Sequence, residues 1–148
     1  EYVATGVAGD FAASNKGDIF FDVVGKLKKG YRPNARWMMN KALLTEIRKF
    51  KDGQSNYLLK SGLEFGVPDT LLGYPIEENE DMPAKAASSL SIAFADFKQA
   101  YSIVDRIGTR VLRDPYTNKP YVMFYTTKRV GGFLQEDAAI KLIKFAVS

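Results

Sequence analysis

The stretch from Tyr101 to Gly132, YSIVDRIGTRVLRDPYTNKPYVMFYTTKRVGG, constrains the fold more than any other part of the chain. It reads as two long β segments joined by a turn. The first, Tyr101–Arg113, sets Ile103, Ile107 and Val111 among Asp105, Arg106, Arg110 and Arg113. The second, Tyr121–Phe133, is dominated by aromatic and β-branched residues, which suit a pleated, half-buried surface. Asp114-Pro115 and Lys119-Pro120 bracket Tyr116-Thr117-Asn118. Proline fixes φ and holds its predecessor extended, so the chain can reverse there but cannot continue as a helix. A monomeric enzyme usually hides a long regular edge of this kind; a protein that assembles with its own copies can use it.

The chemistry that the chain lacks narrows the field further. It has no histidine, which removes the commonest general base, the Ser-His-Asp and Cys-His arrangements and most zinc and iron sites. It has no cysteine, so disulfides and thiolate ligands are excluded. The length of 148 residues suits one domain with a real core. No apolar run approaches the roughly 20 residues of a spanning helix, so no membrane association is expected. No cofactor is expected either. The net charge of +4 is mild, and the clusters Lys26, Lys28, Lys29 and Arg32, then Arg48, Lys49 and Lys51, read as solvated helix ends.

Along the chain, residues 1–16 are small and polar and read as an irregular lead-in. Asp18 stands as an N-cap before Ile19, Phe20, Val23, Val24 and Leu27, which recur at helical spacing up to Gly30; the expected helix is Ile19–Lys29. Ala35–Met39 reads as a short buried strand holding Trp37. Asn40 then caps a helix, Lys41–Phe50, striped by Leu43, Leu44 and Ile47. Leu72–Glu77 is a strand whose Pro75 favours an edge or an end. Leu90–Phe97 alternates at Leu90, Ile92 and Phe94, and Ala139–Phe145 alternates Ile140 and Leu142 against Lys141 and Lys144, closing a sheet. Helices set against mostly sequential, hairpin-linked strands define an α+β fold: a mixed, mostly antiparallel sheet flanked by helices, plus a long β-hairpin.

Three apparent sites fail, two on spacing and one on placement. Glu77, Glu78, Glu80 and Asp81 lack the pattern of a calcium loop. Arg129-Val130-Gly131-Gly132 lacks the spacing of a phosphate-binding loop, and its glycines read as a bulge or kink. The aromatics Trp37, Tyr57, Tyr74, Tyr101, Tyr116, Tyr121 and Tyr125 lie in apolar strands, which suits packing or subunit contacts better than base stacking.

The segment DRIGTRVLRDPYTNKPYVMFYTTKRVGG, followed by Glu136-Asp137-Ala138-Ala139-Ile140-Lys141, closely resembles the C-terminal part of tailed-bacteriophage major capsid proteins, the Hong Kong ninety-seven-like family. Asn34-Ala35-Arg36-Trp37-Met38-Met39-Asn40, Lys51-Asp52-Gly53, Leu71-Leu72-Gly73-Tyr74-Pro75-Ile76, Asp81-Met82-Pro83 and Ala93-Phe94-Ala95-Asp96-Phe97 match in the same order. Ala95 replaces a glycine usual in the family. The resemblance spans roughly Gly17 to Phe145 and implies a structural head protein, not an enzyme. The family's extended arm, flexible hairpin loop and long spine helix lie before this region, so the chain reads as the C-terminal half of a longer polypeptide. On this resemblance residues 17–148 are a capsid axial domain with returning peripheral strands at about 98–145.

The resemblance implies pentameric and hexameric capsomers of an icosahedral shell around DNA, located in the virion capsid after assembly in the host bacterial cytoplasm. Implied partners are other copies of the chain, with scaffold, maturation protease and portal proteins, and packaged DNA held only non-specifically. Asp52, Gly53, Gln54, Ser55, Asn56, Tyr57 and Lys60 correspond to the loop that points to the capsomer axis. Arg48, Lys49, Arg106, Arg110, Arg113 and Arg129 are expected to meet carboxylates on neighbouring copies. Some family members join a Lys to an Asn with help from a Glu. The Asn and Glu positions fall here on Pro120 and Thr127, and the roles do not transfer to nearby Asn118 and Glu136. The alternative is a nucleic-acid-binding module using the basic patches, which a steep loss of binding with salt would mark.

Overall fold

The computed structural model describes residues 1–12, 16–51 and 69–147. They fall into two compact units, Glu1–Ala100 with Glu136–Ser148, and Tyr101–Gln135. The first is organised around an aromatic core. Trp37 is fully buried, stacked on Phe94 at 4.3 Å between ring centroids and meeting Phe20 edge-on at 5.5 Å. Phe11 meets Phe50 and Phe145 edge-on, each at 5.1 Å. Offset and edge contacts of this kind add about 0.5–1.5 kcal/mol per pair beyond the burial itself. The indole N–H donates to the Leu71 carbonyl at 3.1 Å, so the ring is buried without an orphaned donor.

These rings are carried by a six-stranded sheet. Its strands are β1 (Tyr2–Ala8), β2 (Arg36–Met39), β3 (Thr70–Leu71), β4 (Tyr74–Glu78), β5 (Leu90–Ala95) and β8 (Ile140–Ala146), in the order β1-β8-β5-β2-β4-β3. The β1–β8 and β2–β4 pairs are parallel, and β8–β5, β5–β2 and β4–β3 are antiparallel. The sheet is thus mixed and mostly antiparallel, as expected for the α+β class. Pro75 sits near the start of β4, one residue before pairing with β2 begins at Ile76, where its missing N–H breaks no bond to β2.

Two helices cover the core. α2 (Lys41–Arg48) buries Leu43, Leu44 and Ile47, and the Asn40 side chain accepts from the Ala42 N–H at 2.9 Å, as its capping position predicts. α1 (Asp18–Lys26) buries Phe20 and Val23. Asp18 lies inside the first turn rather than capping it, and the helix ends four residues short of Gly30. Arg32 replaces the glycine cap: its Nε donates to the Leu27 carbonyl at 2.8 Å and its terminal nitrogen to Gly25 at 3.1 Å. The basic residue therefore does sit at a helix C-terminus, reaching back from the following turn.

Three expectations are corrected. The lead-in 1–16 is not irregular throughout, because β1 pairs with β8 along Tyr2↔Leu142, Val3↔Ile143 and Ala4↔Lys144. A parallel partner from the far end of the chain leaves no local signal, and only Val3 and Thr5 of β1 are buried. β8 does not close the sheet but lies inside it, and its inward face is Lys141, Ile143 and Phe145, one residue out of step with the expected Ile140 and Leu142. The Lys141 ammonium, pointing inward, is paired at 2.8 Å with the Glu1 carboxylate. β5 does not alternate: Ser91 to Ala95 are all buried, since Ile92 and Phe94 join the aromatic core while Ala95 packs with Ala100 and Ala139.

The second unit is the hairpin, β6 (Tyr101–Asp114) and β7 (Met123–Leu134), paired antiparallel from Tyr101↔Leu134 to Asp114↔Met123. A short helix, α3 (Phe97–Ala100), ends immediately before β6 in sequence. The half-buried surface expected for β7 is not found: all its residues are exposed.

Candidate functional site

The hairpin gathers most of the residues singled out as candidates. Its turn is set by Asp114, whose carboxylate accepts from the Tyr116 N–H at 2.9 Å, the Thr117 N–H at 3.2 Å and the Thr117 hydroxyl. The Thr117 hydroxyl, then the Tyr116 amide, holds the Asp114 carboxyl below its ordinary pKa. The Tyr121 N–H closes the turn on the Asn118 carbonyl at 2.8 Å. A polar, self-satisfied tip thus caps a ribbon that is otherwise apolar and cationic.

Pairing sorts the side chains onto two faces. One face carries Leu112↔Tyr125, Arg110↔Thr127 and Ile107↔Arg129. The other carries Arg113↔Phe124, Val111↔Thr126, Asp105↔Val130 and Ile103↔Gly132, with Lys128 bonded to Asp105 at 2.9 Å. The register shifts on either side of Ile107, where β6 holds extra residues, and this moves Ile107 away from the face of Ile103 and Val111. The glycines Gly131 and Gly132 lie in unbroken pairing, so the bulge or kink expected at them is not found; the irregularity lies on β6 between Asp105 and Arg110. Gly132 has another role: the Tyr101 ring lies over it, its hydroxyl 2.3 Å from where a Cβ would stand.

Arg110 and Arg129 therefore share one face, Arg113 stands on the other, and Arg106 falls in the shifted segment. None of these four arginines makes an ion pair among the described residues. Ile103 is 73% exposed, and Leu112, Phe124 and Tyr125 are each 64% exposed. A two-stranded ribbon with apolar side chains open on both faces is marginal by itself and marks a contact surface. Arg110, Val111, Leu112, Tyr125 and Thr127 line a shallow depression on it.

The other candidates lie in the first unit or outside the described residues. Arg48 is paired with Asp69 of its own chain, and Lys49 is exposed at the end of α2. Asp52, Gly53, Gln54, Ser55, Asn56, Tyr57 and Lys60 lie outside the described residues. Glu77 is paired with Arg36, and Asn79 organises the acidic turn by accepting the Asp81 N–H at 2.9 Å. Among the described residues, no group of three acidic side chains is placed to hold a metal ion. Glu136 caps a following 3-10 turn through the Ala138 N–H at 3.3 Å. No helix among the described residues is long and apolar enough to cross a membrane.

The fold, an aromatic-cored sheet unit and a separate two-stranded ribbon, is shared with solved phage capsid subunits. The fold matches the capsid of the empty GTA particle computed with C5 symmetry, at a TM-score of 0.84 and 50% identity, over 98% of this chain and 49% of that one. The capsid of the native GTA particle matches at 0.83 and 50%, over 98% and 54%. A structure from Mycobacterium phage Patience shares the fold at 0.62 with 15% identity, over 99% and 45%. The chain belongs to the phage capsid family, whose model matches residues 1–145. It spans about half the length of the solved capsid chains it matches. No curated protein matches it.

Proposed function

We propose that the chain builds an icosahedral shell around DNA by associating with copies of itself in five- and six-membered rings. Its location is then the virion capsid, reached after assembly in the host bacterial cytoplasm. Glu1–Ala100 with the returning β8 is the axial part of the subunit, and the hairpin is its peripheral part. The work is done by surfaces and not by catalysis. Ring closure requires heterologous contacts whose rotation closes, and symmetry then multiplies modest interfaces into a stable shell.

The observation that carries this reading is the 50% identity, along nearly the whole chain, to a capsid solved with C5 symmetry. The hairpin agrees with it, because its apolar side chains are exposed and its arginines make no ion pair among the described residues. Scaffold, protease and portal proteins are further partners of the same reading, and packaged DNA is touched only non-specifically.

Electron microscopy of the full-length subunit, expressed alone and with a scaffold, tests the proposal. Closed shells with five-fold vertices are expected; a soluble monomer under both conditions overturns it. Within shells, Arg110→Glu and Arg113→Glu each lower particle yield while the subunit stays folded by circular dichroism. Normal yields from both reversals would remove the arginines from the contacts.

A further inference from the structure

We infer that β1 is a strap able to lift off β8 while the rest of the first unit stays folded, and that the pair between Glu1 and Lys141 is its fastening. The inference is independent of the shell reading. Lys141 is the one buried cation among the described residues, 5% exposed on the inward face of β8 with Ile143 and Phe145. Its cross-strand neighbour on β5 is Phe94. A charge in such a place is costly unless it is paired. Glu1 supplies the pairing: its carboxylate accepts from the ammonium at 2.8 Å, and its carbonyl accepts from the Leu142 N–H at 3.2 Å. No second carboxylate pairs with Lys141 among the described residues.

The two partners are placed unequally, the Glu1 side chain 62% exposed and the Lys141 side chain 6%. Lifting β1 uncovers the edge of β8 beside Lys141, whose flexible stem lets the ammonium reach water. Closing β1 takes that water away, so the closing strand must bring the compensating charge with it. The bond from Lys141 holds the Glu1 carboxyl below its ordinary value of 4.5, which keeps it ionised near neutral pH. Little else fastens this end of the strand. β1 pairs with β8 alone, in parallel, along Tyr2, Val3 and Ala4 before the register shifts. Val3 and Thr5 are its buried residues, and the exposed Tyr2 ring lies 5.0 Å from the Lys144 ammonium. The other end is anchored. Gly6 turns the backbone at a φ of +77°, the Thr5 hydroxyl accepts from the Ala146 N–H at 3.2 Å, and the Gly9 N–H donates to the Ala146 carbonyl at 3.1 Å. Pairing of β8 with β5, β5 with β2 and β2 with β4 does not involve β1, so it persists when the strap lifts.

Hydrogen exchange read by mass spectrometry on the full-length subunit tests this with Glu1→Gln, Lys141→Met and the double variant. In Glu1→Gln the closed strap holds an unpaired ammonium. The amides of Tyr2–Ala8 then exchange at least about tenfold faster, while those of Leu90–Ala95 and Arg36–Met39 keep their rates. Lys141→Met removes the charge and keeps an apolar stem, so the double variant returns β1 to the rate of Lys141→Met alone. Unchanged β1 exchange in Glu1→Gln overturns the fastening. Acceleration spread equally over β1, β5 and β2 overturns the strap. If Glu1→Gln does not fold, Lys141→Met against the double variant decides: equal β1 rates are expected, and a faster rate in the double variant overturns the proposal.

Discussion

The Tyr101 ring lies over Gly132 on the neighbouring strand, with its hydroxyl 2.3 Å and its Cζ 2.9 Å from the position of a Cβ on that glycine. The two are diagonal neighbours, since Tyr101 pairs with Leu134 and Ile103 with Gly132. An aromatic side chain thus covers backbone that glycine leaves bare in a strand, where an uncovered glycine weakens pairing. Gly132→Ala displaces the ring, and the lost cross-strand cover costs the hairpin about 0.2–1 kcal/mol. Gly131→Ala, which meets nothing within 4 Å, has no such cost. The Gly132 α-proton resonances, displaced by the ring in the unaltered protein, return to ordinary values in Tyr101→Leu. Equal effects of the two alanine substitutions would contradict the arrangement.

Trp37→Phe removes both the donor to the Leu71 carbonyl and part of the stack on Phe94. The orphaned carbonyl costs about 1–3 kcal/mol, and the cavity adds to it. Urea denaturation followed by circular dichroism checks the loss, which should appear as a lower midpoint at unchanged slope.

Asn40→Ala deletes the cap on α2 and also the bond from its side-chain amide to the Glu80 carbonyl at 3.2 Å. The expected cost is about 1 kcal/mol, a fall in Tm of roughly 2–4 °C for a chain of this size. Asn40→Asp retains the acceptor and should recover most of it; failure to recover would place the effect in the Glu80 contact.

Lys85 lies between Asp10, at 3.0 Å, and Glu46, tying the turn before β5 to α2 and to the segment after β1. Its pKa is raised, first by the bond to Glu46, and that of Asp10 is lowered, first by the bond to Lys85. The Asp10 contribution is present above its ordinary value of 3.8 and is lost as pH falls through the depressed folded value. The Lys85 contribution is present below 10.5 and is lost as pH rises through the raised folded value. Lys85→Met should therefore flatten the stability profile at both limbs. Thermal melts of both proteins from acid to alkali give the comparison, and parallel profiles would dismiss the clip.

Much of this protein is written locally. Proline-bracketed polar residues announced the hairpin turn, Asn40 announced α2, and the spacing of Leu43, Leu44 and Ile47 gave its buried stripe. The lack of histidine and cysteine restricted the chemistry before any coordinates. Each rests on residues a few positions apart, where propensity, capping and turn geometry act alone. The candidate arginines were legible as residues, but not their faces.

Tertiary structure decided what depends on distant partners. β1 became a strand only because β8 arrives beside it from the other end of the chain, and Lys141 turned inward only because Glu1 waits there. Ile107 left the face of Ile103 because β6 shifts register against β7, and Gly132 acquired its cover from Tyr101 through that same pairing. Side chains alternate with a period of two, so a one-residue change of register exchanges the faces of a strand. That register is a property of two segments together, and no single segment contains it.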